Sequence, residues 1–168
     1  MKKIIEKIGF VLLCLVIFFG VQVTFATAIV SGESMCPTYQ DRDVVLGVKI
    51  DRNYARQDVV IVDCSQYNIG AEYIIKRVVA VAGDTVAIKD GYLYINGEKQ
   101  EESYISEQMY SDMEEVTVSQ DCVFVMGDNR NNSIDSRIIG EINVEDVYAK
   151  VVYENDFISS LFHKLYKQ

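Results

Sequence analysis

The chain has one proline (Pro37), one histidine (His163) and no tryptophan in 168 residues, and its four cysteines never fall at a Cys-X-X-Cys spacing. Each scarcity excludes something. Cys14 lies in a long apolar run, so Cys36, Cys64 and Cys122 form an odd set that rules out a full disulfide framework and a standard zinc site. One bridge, or buried free thiols, are the readings left. No other residues are spaced as metal ligands and no phosphate loop is present, so neither metal nor cofactor is expected. Positive charge is short as well, with 16 Lys+Arg against 25 Asp+Glu. Setting aside Lys2, Lys3, Lys7 and Glu6 at the start leaves 13 basic and 24 acidic residues, a net of −11. Such a balance excludes nucleic acid as a partner, because phosphates need basic patches to neutralise them. It also disfavours tight electrostatic docking on anionic lipid.

What the chain has in plenty is apolar sequence near its start. Residues 8–30, "IGFVLLCLVIFFGVQVTFATAIV", carry no charge over 23 positions. As a helix rising about 1.5 Å per residue they span roughly 34 Å, enough to cross a bilayer core with some tilt. Lysines precede the run and no comparable basic cluster follows it, so the positive-inside rule places the N-terminus in the cytoplasm. The expected organisation is a cytoplasmic stretch 1–7, a single-pass signal-anchor helix 8–30 in the cell membrane, an extracytoplasmic domain 31–153 and an amphipathic helix 154–168. A cleavable secretory signal is the competing reading, since Ala26 and Ala28 form an Ala-X-Ala pattern. The run exceeds the usual apolar region of such signals, about 7–15 residues. Both readings export the remainder.

From Asp43 onward short Val-, Ile- and Tyr-rich runs alternate with turn signals: "DVVLGVKI", "DVVIVDC", "EYIIKRVVAV", "DTVAIK", "YLYING", "EVTVS", "CVFVMG" and "VYAKVVYE". A mainly β domain is expected. "TVAIK-DG-YLYIN" predicts a hairpin turning on Asp90 and Gly91. Residues 98–115, with seven acids and one lysine, read as an exposed loop or weak strands flanking the sheet. Near the end, Phe157, Ile158, Leu161, Phe162 and Leu165 recur at helical spacing behind Asn155 or Asp156 as N-cap. That helix packs on the domain or lies on the membrane surface.

The chemistry centres on Ser34, in "SGESMCPTY" directly after the apolar run. A serine nucleophile commonly takes histidine as its base, but His163 sits on the predicted terminal helix surface. Lys76, in "EYIIKRVVAVAGD", is the alternative. On a strand it shares a face with Ile74, Val78 and Ala80, either snorkelling at a sheet edge or desolvated. Desolvation lowers a lysine pKa; bringing it from about 10.4 to about 7 takes roughly 4–5 kcal/mol. A neutral amine of that kind can take the proton of a serine hydroxyl. Arg77 points to the opposite face and needs a carboxylate or solvent. The polar turn "GDNRNNSIDSR", after the strand "CVFVM", offers Asp128 and Asp135.

Taken together, three segments resemble the bacterial type I signal peptidases, in their compact Gram-positive-like form. "SGESMCPT" is similar to the family's nucleophile box, "YIIKRVVAVAGD" to its lysine box and "MGDNRNNSIDSR" to its C-terminal box, in the family's order and behind a membrane helix. The resemblance implies coiled antiparallel β-sheets forming a catalytic domain preceded by one transmembrane helix. It implies a Ser-Lys dyad protease: Ser34 as nucleophile and Lys76 as general base, with Ser133 orienting the amine. Asp128 is implied to pair with Arg77, Asp135 with Arg137, and Met35 to help line the substrate site. The implied substrates are exported preproteins cut after an Ala-X-Ala-type site, with the lipid bilayer as the other partner; a monomer is expected.

Gly32 departs from those relatives that carry a serine there as a second oxyanion donor, leaving the Ser34 backbone N–H as the remaining one; losing a donor can matter by a few kcal/mol. Pro37 and Gly32 are expected to shape the turn so that the Ser34 hydroxyl faces a groove beside Lys76. The chain's own "FATA" resembles a cleavage site, which makes self-cleavage a hypothesis. Other Ser-Lys proteases of the self-cleaving repressor type would carry a DNA-binding segment where residues 1–30 are apolar. A non-catalytic membrane-tethered module of secretion or pilus assembly is the rival of a different class, and it has no need of Ser34 and Lys76.

Overall fold

The computed structural model describes residues 2–154, with side chains described from residue 7 to residue 152. Of the predicted helix 154–168, Glu154 ends a strand, and the rest, with Asn155, Asp156 and His163, lies outside the described residues. Helix α1 covers Lys2–Thr24. Its Lys7–Thr24 segment has a mean hydropathy of 2.2, has no buried residue, and is long and apolar enough to cross a membrane.

The helix ends before the boundary the sequence suggested. Phe25–Ile29, assigned above to the span 8–30, instead form strand β1, paired antiparallel with β2 (Val44–Val48) from Phe25↔Val48 to Ile29↔Val44. The reason is tertiary. The β2 edge offers a ladder, and alternation puts Ala26 and Ala28 inward against Met35, Tyr39, Val45 and Ile61, with Phe25, Thr27 and Ile29 outward. Lys49 closes the joint: its N–H donates to Thr24 O at 2.8 Å and its Nζ to Gln22 O at 3.0 Å, satisfying carbonyls of the last helical turn. The Ala26–Ala28 pair is thus built into a paired strand, so the self-cleavage hypothesis requires β1 to detach first.

The remaining strands are β3 (Val59–Asp63), β4 (Tyr73–Val81), β5 (Thr85–Lys89), β6 (Tyr92–Ile95), β7 (Glu98–Lys99), β8 (Met113–Thr117), β9 (Cys122–Met126), β10 (Ile142–Asn143) and β11 (Val147–Glu154). A one-turn helix α2 (Ser136–Ile139) precedes β10. Every pairing is antiparallel, in a seven-stranded sheet ordered β1-β2-β11-β3-β4-β9-β10 and a four-stranded sheet ordered β7-β6-β5-β8. All eight strand runs read from the sequence are strands, and the fold is mainly β as expected.

Strand β4 lies between β3 and β9 and is covered on both faces, so its residues 76–80 are all buried and the run reads as nearly continuous apolar sequence. A bulge against β9 between Val78 and Ala80 breaks the expected single face: Val78 packs with Val60, Val62 and Val125, while Ala80 packs with Phe124 and the small sheet. At the end of β4, Asp84 ties the sheets together, accepting from Arg56 Nε and Asn96 Nδ2 at 2.9 Å and from Val81 N–H at 3.0 Å.

The hairpin joins β5 to β6 with positive φ at Asp90 (50°) and Gly91 (78°), the type I′ geometry that matches strand twist. A Cβ on Gly91 would lie 2.6 Å from Met109 O. Gly91→Ala is therefore expected to destabilise by about 1–3 kcal/mol through backbone strain and crowding together. Denaturant unfolding of the variant checks this, and an unchanged midpoint contradicts it.

Candidate active site

Ser34 sits in a tight turn after β1, where Cys36 N–H bonds Glu33 O at 3.0 Å and Tyr39 N–H bonds Met35 O at 2.9 Å. Gly32, with φ of 87°, enters that turn and donates its N–H to Asp41 Oδ1 at 2.8 Å. Met35 is fully buried beneath the turn, packed with Val45 and Ile61. Those two line the adjacent cleft while Met35 itself does not; it supports the cleft floor from below.

Lys76 reaches Ser34 from β4. Its Nζ lies 2.7 Å from Ser34 Oγ and donates to Ile75 O at 2.8 Å, with only 3% of the residue exposed. Burial outweighs the attraction of Asp135 and Asp128 and brings its pKa down to about 8. Of the two strand readings, desolvation is the one the structure shows; the lysine does not snorkel. Cys64, also buried, has its thiol pushed up to about 11 by the same dryness, and all four cysteines are free.

The expected bond from Ser133 to the lysine amine is not made. The Ser133 hydroxyl is buried without a partner among the described residues and lies against Gly127. The pairs Arg77–Asp128 and Arg137–Asp135 are formed, at 2.6 and 2.7 Å. Asp128 also accepts from Arg77 Nε at 2.8 Å and from the Thr38 hydroxyl, so it pins the turn after Ser34 to the strand of Lys76. Burial works against the Arg77 charge, but the bonds and charge of Asp128 outweigh it and raise its pKa. Asp135 caps α2 and accepts Gly127 N–H at 2.9 Å, which fixes the loop after β9.

Several residues of the site carried no signal that the sequence reading weighed. Asn129 N–H donates to Ser34 O at 3.0 Å and its Nδ2 to Glu33 O at 3.1 Å, anchoring the backbone of the Ser34 turn. Arg130 is fully buried and pairs with Glu102 at 2.6 Å. Glu102 comes from the acidic stretch 98–115 that was expected to be exposed. The stretch does form the short edge strands β7 and β8, but two of its side chains are not exposed: Glu102 is enclosed with Arg130, and Met109 packs into the core of the small sheet with Ile88 and Leu93.

A cleft of about 220 Å³ opens at Ser34 and Lys76. Its other walls are Ala28, Ile29, Val30 and Ser31 on one side and Ala71, Tyr73, Ile74 and Ile75 on the other, over Val45 and Ile61. A hydroxyl against a dry amine, at the head of a small apolar cleft, can attack a carbonyl and pass its proton to nitrogen: the equipment of a serine hydrolase with a lysine base.

A family model described as signal peptidase, peptidase S26, matches residues 2–154. The chain belongs to that family. Signal peptidase I of Bacillus amyloliquefaciens is 38% identical over 126 residues, covering 67% of this chain and 65% of the relative. Against that relative the chain spans just under two thirds of the length. Signal peptidase I of Bacillus caldolyticus is 32% identical over 173 residues, covering 90% of this chain and 92% of the relative. The crystal structure of a signal peptidase I from Enterococcus faecalis V583 superposes with a TM-score of 0.52 at 27% identity, covering 60% of this chain and 97% of that one.

Proposed function

We propose that this protein is a membrane-anchored serine endopeptidase that removes N-terminal signal peptides from exported preproteins. The observation that carries the reading is the 2.7 Å contact between Ser34 Oγ and the buried Lys76 amine. In its neutral form the amine accepts the Ser34 proton as Oγ bonds to the scissile carbonyl carbon. The resulting ammonium then protonates the leaving amine, and water regenerates the serine by the same route. The Ser34 backbone N–H serves the oxyanion, with Gly32 supplying no side-chain donor beside it.

Specificity follows from the cleft. An extended peptide turns every second side chain to the same wall. Here the walls are alanine and branched aliphatic residues around a small volume, which suits Ala-X-Ala. The outer edge of β1 carries no strand among the described residues, leaving backbone groups for such a peptide to pair with. The anchoring is read from α1. With Lys2, Lys3 and Lys7 on the cytoplasmic side, the cleft lies outside, close to where α1 leaves the bilayer. Lys49 over Tyr148 at 4.9 Å, and Tyr148 against Tyr73 at 5.1 Å, form a row from the helix exit to the cleft mouth that suits headgroup level.

The test is cleavage of a precursor with an Ala-X-Ala site by the full chain in detergent, across pH. With the amine required neutral, kcat/KM rises about tenfold per pH unit below 8 and levels off above it. A flat profile from pH 6 to 9 would exclude Lys76 as base. Well-folded protein that cuts none of several precursors would favour the non-catalytic tethered module.

A further inference from the structure

The acidic segment between β7 and β8 is remote from both Ser34 and Lys76 in sequence, yet it reaches the loop that holds Ser34. Asn131 Nδ2 donates to Glu107 and to Gln108 O at 2.9 Å, Tyr110 N–H donates to Asn131 at 3.0 Å, and deeper in, Glu102 and Tyr104 meet two arginines. Arg130 extends from that loop with Nε on Gly127 O at 3.1 Å, and its guanidinium is held by both oxygens of Glu102 at 2.7 and 2.6 Å. The Tyr104 hydroxyl donates to the same carboxylate at 2.8 Å. The centre of its ring lies 4.1 Å from the Arg77 guanidinium and 5.8 Å from that of Arg130. Arg77 follows the base on β4 and is bound to Asp128, and Asp128 and Arg130 flank Asn129, whose N–H holds the Ser34 carbonyl. A single aromatic ring therefore contacts both the strand that carries the base and the loop that holds the nucleophile.

We infer that Tyr104 and Glu102 are positioning residues for this chemistry: a latch from the segment between β7 and β8 that sets the Gly127–Asn132 loop, and through Asn129 the Ser34 backbone, against β4. The inference rests on the proposed Ser-Lys reading for its catalytic consequence, but not for its geometry. A cation held over a ring face and a buried bidentate ion pair are both directional, so they fix orientation as well as proximity. Neither residue touches the cleft. Their loss acts on turnover and leaves binding in place, because displacement of reacting groups by a fraction of an ångström is felt in the chemical step.

The experiment uses the full chain in detergent micelles with Tyr104→Phe, Tyr104→Leu, and the double variant Arg130→Met/Glu102→Leu, which replaces the ion pair by apolar groups and so avoids a stranded charge. Two readouts are taken. Hydrogen exchange at the Asn129 amide reports the bond to Ser34 O without any need for activity. Tyr104→Leu and the double variant are expected to lose protection there by tenfold or more, while Tyr104→Phe, which keeps the ring, retains most of it. With a precursor substrate, kcat is expected to fall at least tenfold in Tyr104→Leu and in the double variant with KM within twofold, while Tyr104→Phe keeps most of it. Wild-type Asn129 protection in a folded Tyr104→Leu protein overturns the latch. So does a loss of activity carried by KM alone. If wild type cleaves no precursor, the proposed function falls, and the exchange measurement still decides the latch.

Discussion

Ser34→Ala and Lys76→Met are each expected to lower precursor cleavage by roughly 10⁴-fold or more, since a nucleophile and its base act as one unit. The two variants separate in stability. Ser34→Ala removes a partly exposed hydroxyl and leaves the unfolding midpoint nearly unchanged. The effect of Lys76→Met is expected to depend on pH. In the fold the Lys76 pKa is about 8 against an ordinary 10.5. Below pH 8 the native protein carries a charged amine in a dry site, a cost of about 3 kcal/mol from the difference in proton affinity. Between pH 8 and 10.5 the native state has released that proton while the unfolded chain still holds it, so wild-type stability rises across this window. Relative to wild type, Lys76→Met is therefore expected to lose about 3 kcal/mol of advantage between pH 7 and pH 10.5, whatever the pH-independent difference between a neutral lysine and a methionine. Denaturant unfolding of both proteins at pH 7 and pH 10 measures it. A stability difference that stays the same at the two pH values would mean that the lysine keeps its ordinary proton affinity in the fold.

How far the sequence spoke depended on whether a feature is local. The eight strands were visible because β-branched runs between turn residues report their own conformation, and the Asp90-Gly91 hairpin because only a few residues tolerate two successive positive φ values. Ser34, Lys76 and the two carboxylates were legible through three short segments, each carrying its spacing within itself. The end of α1 was not. Residues 25–30 are as apolar as the helix before them, and only the open edge of β2, brought up from the chain beyond residue 43, turns them into a strand. The bulge at Val78 was hidden for the same reason, being a property of the β4–β9 pairing. Glu102 and Tyr104 were the hardest. Embedded among acids, they look solvated, and what buries them is Arg130, 28 residues from Glu102. Ser133 marks the opposite limit: the resemblance assigned it a bond to the amine, whereas the amine has turned to Ile75 O and the hydroxyl is left facing Gly127.

That glycine is the position where the site has least room, and Gly127→Ala is expected to cost at least about 100-fold in kcat. A Cβ there would stand 2.5 Å from Ser34 O and 2.7 Å from Ser133 Cβ, with the Ser133 hydroxyl in contact as well. One of these neighbours is a hydroxyl on a side chain that can rotate; the other is the backbone of the nucleophile. The loop cannot retreat freely, because Gly127 N–H is bound to Asp135 at 2.9 Å and Gly127 O to Arg130 at 3.1 Å. The methyl group is accommodated by pushing Ser34 away, which lengthens the bond from Asn129 and carries Oγ off the lysine amine, and misplacement on this scale is enough for a hundredfold loss. Overpacking adds a destabilisation of about 1–3 kcal/mol. Gly127→Ala/Ser133→Ala divides the two causes. It relieves the contact with the Ser133 hydroxyl and leaves those with Ser34 O and with the Cβ of residue 133, so stability is expected to recover in part while kcat stays low. Recovery of kcat in the double variant would place the damage at the Ser133 hydroxyl, and would show that this hydroxyl is not needed to orient the base.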